Sequence, residues 1–432
     1  MAGHWDHAVS REDYMQELPT ISARIELSRG GVGAIPNFCS AGLSALTSTY
    51  VTDSATAHVS GSKSNKPDMP PPNAKSLRPW LIRVRNAAVT AGMRLAFGVI
   101  PAIPDAAKRL MTRSITIDGN TLDPTLRLML VGQKLTGVES ILTGEDPVTN
   151  RLRLRRQTKV IDRNPVQVRA VADLSIPGPA GSIPARHYFP DNDEVGPLLM
   201  FIHGGGWVIG DLDTQDNLCR VICRGAGIHV LSVDYRLAPE HPAPAGVEDC
   251  YAAYRWALEH GTELGTRPGV VAVGGDSAGG NLSAVISRLG RDDGVAPALQ
   301  LLLYPSTDAR GETRSQALFA NGFFLTEAAM IWFRDHYLGT SQLDPTDPLV
   351  SPVLAENLSD LPRALVITAG FDPLRDEGET YATAMREAGV VVDLRRMSSL
   401  THGFASNWPL GGASGSAMAE IISALRAHLC YL

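Results

Sequence analysis

The sequence predicts an α/β fold built on a mostly parallel, eight-stranded sheet with helices on both faces. Beyond residue 165, apolar runs of strand length alternate with helix-compatible segments, which is typical of a doubly wound sheet. The first two runs flank a proline- and glycine-rich turn at 177–181 that predicts an antiparallel hairpin. Two later runs lead directly into glycine-rich loops, at 204–206 and 275–280.

Each predicted strand is an apolar run bounded by turn residues, and most of the gaps between strands have helical spacing. The strands are predicted at 166–176, 183–188, 198–202, 229–233, 270–273, 299–304, 364–368 and 390–394. Helices are predicted near 213–225, 245–260, 279–289, 375–388 and 416–430.

Residues 1–78 have neither the 3.6-residue nor the 2-residue hydrophobic period, and they end soon after three consecutive prolines. We therefore predict a poorly ordered extension. It is either a regulatory segment or the product of a start codon placed too early.

Two helical stretches follow within 79–164. From Trp80 to Leu110 apolar residues share one helical face, with arginines on the others. Such a stripe packs on its own domain or lies on a membrane. A second helix is predicted to begin at Asp123 and Pro124, an N-cap followed by proline in the first turn.

Residues 310–352 interrupt the alternation of strands and helices and are rich in aromatic side chains. The aromatic residues of this insertion are Phe319, Phe323, Phe324, Trp332, Phe333 and Tyr337. They either form the floor of a substrate pocket or make a satellite core beneath a surface insertion.

The composition excludes some partners. A formal charge of −6 gives no overall basic face, so nothing favours nucleic acid as a partner. Cys219 and Cys223 are predicted to pack in the core, because no His or further Cys pair nearby would complete a metal site.

Three features predict a cytoplasmic location. The five cysteines lack the regular spacing of a disulfide framework, which favours reduced thiols. The apolar stretches fall short of the ~20 residues that span a membrane. The start of the chain is polar where a signal peptide would be apolar.

The most informative stretch is the pentapeptide at 275–279, between an apolar strand and a helix-forming segment. Small residues around Ser277 allow a sharp, strained turn that points its Oγ outward, as a nucleophile requires. The pentapeptide alone is a weak signal. A second strand running into the glycine loop at 203–207 supports it, and His203 is interpreted as a brace for that loop.

A serine hydroxyl needs a base within hydrogen-bond reach and a third group to orient that base. His402 lies after the last predicted strand and before the final helix, where a loop reaches the carboxyl edge of the sheet. Asp372 comes first off the preceding strand. Asp376 and Glu377 are expected inside the next helix, pointing elsewhere. The order Ser277, Asp372, His402 is the one that this topology requires.

Taken together, these motifs resemble the bacterial branch of the hormone-sensitive lipase family, whose members have the α/β-hydrolase fold. The segments that carry the resemblance are 203–207 (HGGGW), 234–240 (DYRLAPE), 275–280 (GDSAGG), 372–374 (DPL) and 402–404 (HGF). They place the catalytic domain at 165–432. The helices at 79–164 and the insertion at 310–352 resemble the helical cap of actinobacterial members.

The resemblance implies a serine carboxylesterase acting on short- to medium-chain acyl esters through an acyl-enzyme, without metal or cofactor. It implies Ser277 as nucleophile, His402 as general base and acid, and Asp372 as its partner. It implies an oxyanion hole formed by the backbone N–H groups of Gly204, Gly205 and Ala278. A homodimer formed through the last strand and helix is also implied.

Two alternatives are open at this point. A membrane-associated lipase acting on longer-chain glycerides would use the basic stretch near 83–94 as an anchor. A non-enzymatic ligand-binding protein of the same fold is the other alternative. The motifs do not separate esters from thioesters or lactones, because all pass through a tetrahedral intermediate.

Overall fold

The computed structural model describes residues 98–430, except 137–139, 141, 143–145, 163 and 193–194. The extension predicted at 1–78 and most of the stretch from Trp80 to Leu110 lie outside the described residues.

A small hairpin precedes a large sheet. The hairpin consists of β1 (Thr116–Ile117) and β2 (Asn120–Thr121). The sheet consists of β3 (Ala170–Gly178), β4 (Gly181–Phe189), β5 (Gly196–Ile202), β6 (His229–Val233), β7 (Thr266–Asp276), β8 (Gln300–Leu303), β9 (Ala364–Phe371) and β10 (Val392–Thr401). Its order is β10-β9-β8-β7-β5-β6-β4-β3, in which β3 and β4 are antiparallel to their neighbours and the others are parallel. The predicted eight-stranded, mostly parallel sheet is confirmed.

Ten α-helices lie in the described part of the chain. They are α1 (Asp105–Met111), α2 (Pro124–Thr136), α3 (Pro147–Ile161), α4 (Asp216–Ala226), α5 (Ala245–Glu259), α6 (Ala278–Asp292), α7 (Arg314–Leu318), α8 (Glu327–Leu338), α9 (Arg375–Glu387) and α10 (Gly412–Cys430). Short 3-10 helices cover Ile100–Ala102, Pro352–Leu354 and Phe404–Leu410. The five helices predicted between 213 and 430 are confirmed to within a few residues.

The alternating side chains of β5 show that both faces of the sheet are covered. Leu198, Met200 and Ile202 join one apolar core, whereas Leu199 and Phe201 join the core on the opposite face. Burial on both faces explains why the central strands are continuous apolar runs.

The last strand is longer than predicted. The sequence predicts that this strand ends at residue 394, before two arginines, but β10 continues to Thr401. It is the edge of the sheet, and seven of its ten residues are half-buried or exposed, so charged residues are tolerated within it. His402 therefore follows a strand directly.

The segment before residue 165 is joined to the sheet. The Asp123 carboxylate accepts hydrogen bonds from the N–H groups of Thr125 and Leu126, at 2.8 and 3.1 Å, which confirms the predicted helix start. The Asp123 N–H donates to the carbonyl of Ser399 in β10 at 2.9 Å. Leu122 and Leu126 lie in the same core as the sheet.

Cys219, Cys223 and Cys250 are buried and free, as core packing predicts for the first two. Among the residues that the structure describes, no group of three or more His, Cys, Asp and Glu side chains is arranged to hold a metal ion. Within those residues, no helix is both long and apolar enough to cross a membrane.

Candidate active site

Ser277 occupies a strained turn between β7 and α6. Its φ of 56° and ψ of −116° lie in a region that residues with a Cβ rarely adopt. The turn is held by the Ser277 N–H, which donates to the Leu303 carbonyl at 2.9 Å. A Cβ at Gly275 or Gly279 would overlap the Ile202 carbonyl of β5, so this close approach requires glycine at both positions.

The strand ends bring the other two predicted side chains to Ser277. Asp372 follows β9 and is fully buried, and His402 follows β10 with about a tenth of its side chain exposed. His402 Nε2 lies 2.9 Å from Ser277 Oγ, and His402 Nδ1 lies 2.8 Å from Asp372 Oδ2. The three residues form one continuous hydrogen-bonded chain.

Hydrogen-bond chemistry assigns the direction of this chain. The Asp372 carboxylate accepts, so Nδ1 of His402 carries the proton and Nε2 accepts from the serine hydroxyl. The Leu374 N–H donates to the other carboxylate oxygen at 2.8 Å. The ring of Tyr304 packs edge-on against the imidazole with a centroid distance of 4.8 Å, which further restricts the ring.

Gly204, one of the three predicted oxyanion donors, has an acceptor within the protein. The Gly204 N–H already donates to Asp276 Oδ1 at 2.8 Å. Among the described residues, the N–H groups of Gly205, Gly206 and Ala278 have no acceptor. The available N–H groups therefore differ from the predicted set, with Gly206 in place of Gly204.

His203 braces this loop, as the sequence predicts. Its Nδ1 lies 2.8 Å from the Gly204 carbonyl, and its ring stacks on Tyr235 with a centroid distance of 4.4 Å. The Tyr235 hydroxyl donates to the His203 carbonyl at 3.0 Å. The 234–240 segment thus stabilises the glycine loop through the contacts of Tyr235 with His203.

Asp376 and Glu377 point away from His402, as expected. Asp376 accepts from the Ser315 N–H at 2.8 Å. Glu377 is buried and accepts from the N–H groups of Thr307 and Asp308, at 2.8 and 3.3 Å. Burial raises the pKa of Glu377 to about 8. This role has no local sequence signature, because it depends on a loop about 70 residues away.

A cavity of about 510 Å³ opens above Ser277. Its walls come from α3, from the loop after β5 and from the 310–352 insertion. Phe324, Phe333 and Tyr337 of the insertion line it. Phe319 and Phe323 pack instead against Phe371 of β9. Both interpretations of the aromatic insertion therefore hold, each for different side chains.

Two arginines of α3 attach this helix to the loop after β5, and sequence analysis missed both. Arg151 donates to the carbonyls of Val208 and Ala238 at 2.7 and 2.8 Å. It also forms a two-point ion pair with Glu240, at 2.8 and 2.6 Å. Arg155 pairs with the buried carboxylate of Asp211. Neither contact has a local sequence signature.

The arrangement can perform acyl transfer. The Ser277 hydroxyl is hydrogen-bonded to an imidazole, and a buried carboxylate orients that imidazole. Gly205, Gly206 and Ala278, whose backbone N–H groups have no acceptor, line the same cavity as Ser277.

Comparison with known proteins agrees with this chemistry. The family profile described as alpha/beta hydrolase fold matches residues 199–406. The chain is 56% identical over 360 residues to the carboxylic ester hydrolase LipN of Mycobacterium tuberculosis, covering 82% of this chain and 94% of the relative. It is 35% identical over 265 residues to the ethyl acetate hydrolase of Pseudomonas putida, covering 60% of this chain and 83% of the relative.

Solved structures show the same likeness. The esterase of Pyrobaculum calidifontis superposes with a TM-score of 0.66 at 38% identity, covering 71% of this chain and 98% of the esterase.

Proposed function

The chain belongs to the hormone-sensitive-lipase-like esterases of the α/β-hydrolase fold and is a carboxylic ester hydrolase, and on this premise we propose that Ser277, His402 and Asp372 carry the reaction. The observation that carries the proposal is the His402 imidazole, hydrogen-bonded to Ser277 Oγ on one side and Asp372 on the other.

The proposed reaction has two halves. Ser277 Oγ attacks the ester carbonyl carbon while its proton passes to His402 Nε2. The tetrahedral intermediate collapses, the C–O bond to the alcohol breaks, and His402 returns the proton to the leaving oxygen. A water molecule then gives a proton to His402 Nε2 as its oxygen attacks the acyl carbon. The bond from the acyl carbon to Ser277 Oγ breaks, His402 returns the proton to Oγ, and the acid is released.

The negative charge on the carbonyl oxygen needs donors. We propose that Gly205, Gly206 and Ala278 supply them through their backbone N–H groups. Gly205 and Gly206 have φ values of 119° and 58°, which favour glycine. A Cβ at Gly206 would overlap the Phe333 ring. Positive φ at both residues, together with the contact between Gly206 and Phe333, therefore favours glycine at these two positions.

The cavity supports short- to medium-chain acyl esters as substrates. About 510 Å³ is within the range of small-molecule sites, and aromatic side chains close one wall. We also propose a cytoplasmic location. The free, buried thiols of Cys219, Cys223 and Cys250 are compatible with a reducing compartment.

The test is hydrolysis of p-nitrophenyl esters from acetate to palmitate by the wild type and by Ser277→Ala. We expect activity confined to the wild type, with an optimum at short or medium chains. Equal activity in the variant would overturn the role of Ser277. A long-chain optimum would overturn the substrate class and favour the lipase alternative.

A further inference from the structure

Asp276 has no part in the reaction scheme above, although it directly precedes the nucleophile. It is the last residue of β7, and only 5% of it is exposed. A carboxylate at such a position is costly to bury unless its oxygens are hydrogen-bonded. Its partners therefore indicate why it is there.

The principal partner is the loop after β5. Asp276 Oδ1 accepts the Gly204 N–H at 2.8 Å, and this bond joins residues 72 positions apart. The fit is close: a Cβ at Gly204 would lie 2.7 Å from the Asp276 carbonyl oxygen and 2.5 Å from Oδ2. The first glycine of the loop thus rests directly on Asp276.

A second partner extends the contact to the histidine loop. Gln215 Nε2 donates to the two Asp276 oxygens at 3.3 and 3.4 Å. Gln215 Oε1 in turn accepts from the Ser406 hydroxyl at 3.4 Å, four residues after His402. One carboxylate is therefore linked to the serine turn, the glycine loop and the segment that follows His402.

We propose that Asp276 is a positioning residue for the oxyanion donors: by accepting the Gly204 N–H it fixes the loop so that the Gly205 and Gly206 N–H groups face the reacting carbonyl. This inference rests on the proposed function. It adds to that function by identifying the residue that sets the geometry of the oxyanion donors. Donors act only when they are within hydrogen-bond distance of the developing oxyanion, so a small rotation of the loop costs rate.

The role requires an acceptor and not a charge. A negative charge close to the oxyanion would oppose its formation, whereas a neutral amide oxygen still accepts the Gly204 N–H. Asp276→Asn keeps an acceptor at Oδ1, and Asp276→Ala removes it. These two variants separate positioning from electrostatics.

Asp249 provides a matched control. It is also a buried carboxylate that accepts a backbone N–H, from Arg236 at 2.9 Å, but it lies on α5 away from the described cavity. Arg236 belongs to the 234–240 segment, so Asp249→Ala reports the cost of losing a buried structural carboxylate that reaches the glycine loop only indirectly.

The experiment measures kcat, KM and inhibition by a trifluoromethyl ketone, with active sites counted by a fluorophosphonate. For Asp276→Ala we expect kcat per active site to fall roughly 10- to 100-fold with KM little changed, below the ~10²–10³ of a fully lost donor. Inhibition should weaken in parallel, because the bound hemiketal carries the same oxyanion. Asp276→Asn should stay within about threefold of the wild type, since it keeps the acceptor.

Three outcomes would overturn the inference alone. They are an unchanged kcat in Asp276→Ala, a loss no larger than that of Asp249→Ala, and an Asp276→Asn variant as impaired as Asp276→Ala. Inactivity of the wild type toward every ester would instead overturn the proposed function, and this inference with it.

Discussion

The serine turn and the helix α3 both border the cavity, yet they are held in opposite ways. The turn is fixed by backbone: Ser277 N–H binds the Leu303 carbonyl, and Gly279 lies against Ile202 with no space for a Cβ. The helix α3 is fixed by long side chains, Arg151 and Arg155, whose partners lie on the loop and turn segments at 208–211 and 238–240.

The serine turn is therefore expected to be rigid, and the attachment of α3 to be adaptable. Backbone packing in a buried strand-to-helix turn has no alternative arrangement of similar energy. Arginine contacts at a partly exposed surface are individually worth little and can be exchanged. We therefore expect substitutions in the serine turn to reduce activity strongly, and substitutions in α3 to be better tolerated.

The largest effect is expected from breaking the turn with Gly279→Ala. The new methyl group overlaps the Ile202 carbonyl, so either the turn or β5 must shift. A displacement of about 1 Å at a reacting group costs on the order of 10²-fold in rate. We expect at least that loss in kcat, measured on p-nitrophenyl acetate, together with a lower melting temperature.

Gly132→Ala is the control for this variant. Gly132 lies within α2, and a Cβ placed there would meet no heavy atom within 4 Å apart from its chain neighbours and the backbone of its own helix. Alanine should leave activity unchanged and stabilise the helix by about 0.5–1 kcal/mol. Comparable losses in both variants would contradict the steric account of the turn.

A smaller effect is expected from detaching the helix with Arg151→Ala. The side chain loses hydrogen bonds to two backbone carbonyls, one of them at Val208 in the glycine-loop segment. We expect kcat/KM to fall about tenfold, equivalent to ~1.4 kcal/mol, mainly through KM.

Glu240→Gln sharpens this result, because it removes the ion pair and leaves both carbonyl bonds of Arg151 in place. The Glu240 side chain is 48% exposed, so its ion pair should contribute only ~0–1 kcal/mol and its loss should change kcat/KM less than threefold. An effect of Glu240→Gln as large as that of Arg151→Ala would show that charge holds the helix, contrary to this account.

The smallest effect is expected at Glu377, a buried residue of α9 that accepts the Thr307 and Asp308 N–H groups in the loop after β8. Burial raises its pKa to about 8 from an ordinary value of 4.5. Between these pH values the folded chain holds a proton that the unfolded chain releases, so stability falls as pH rises. The melting temperature of Glu377→Gln, relative to that of the wild type, should therefore rise as the pH increases from 5 to 8. A constant difference across this range would contradict the assignment.

Much of the site could be predicted from the sequence, because local patterns encode it. Ser277 stands in a turn that small residues permit, and strand ends place Asp372 and His402 at the same edge of the sheet. These inferences needed only the order of elements along the chain.

The remainder depends on contacts between distant segments. The sequence marked the glycine loop but not which N–H groups are available, because the acceptor of Gly204 is 72 residues away. The arginines of α3 carry no motif, since any exposed helix has such residues. The end of β10 was missed because an edge strand tolerates charge that an interior strand would not.

The most direct test of the account is covalent labelling by a fluorophosphonate, followed by intact-mass measurement and peptide mapping. The activated hydroxyl of Ser277 should take up one phosphonate per chain, and Ser277→Ala should take up none at the same reagent concentration. Labelling at another residue, or undiminished labelling of the variant, would contradict the assignment of Ser277 as the nucleophile that His402 and Asp372 activate.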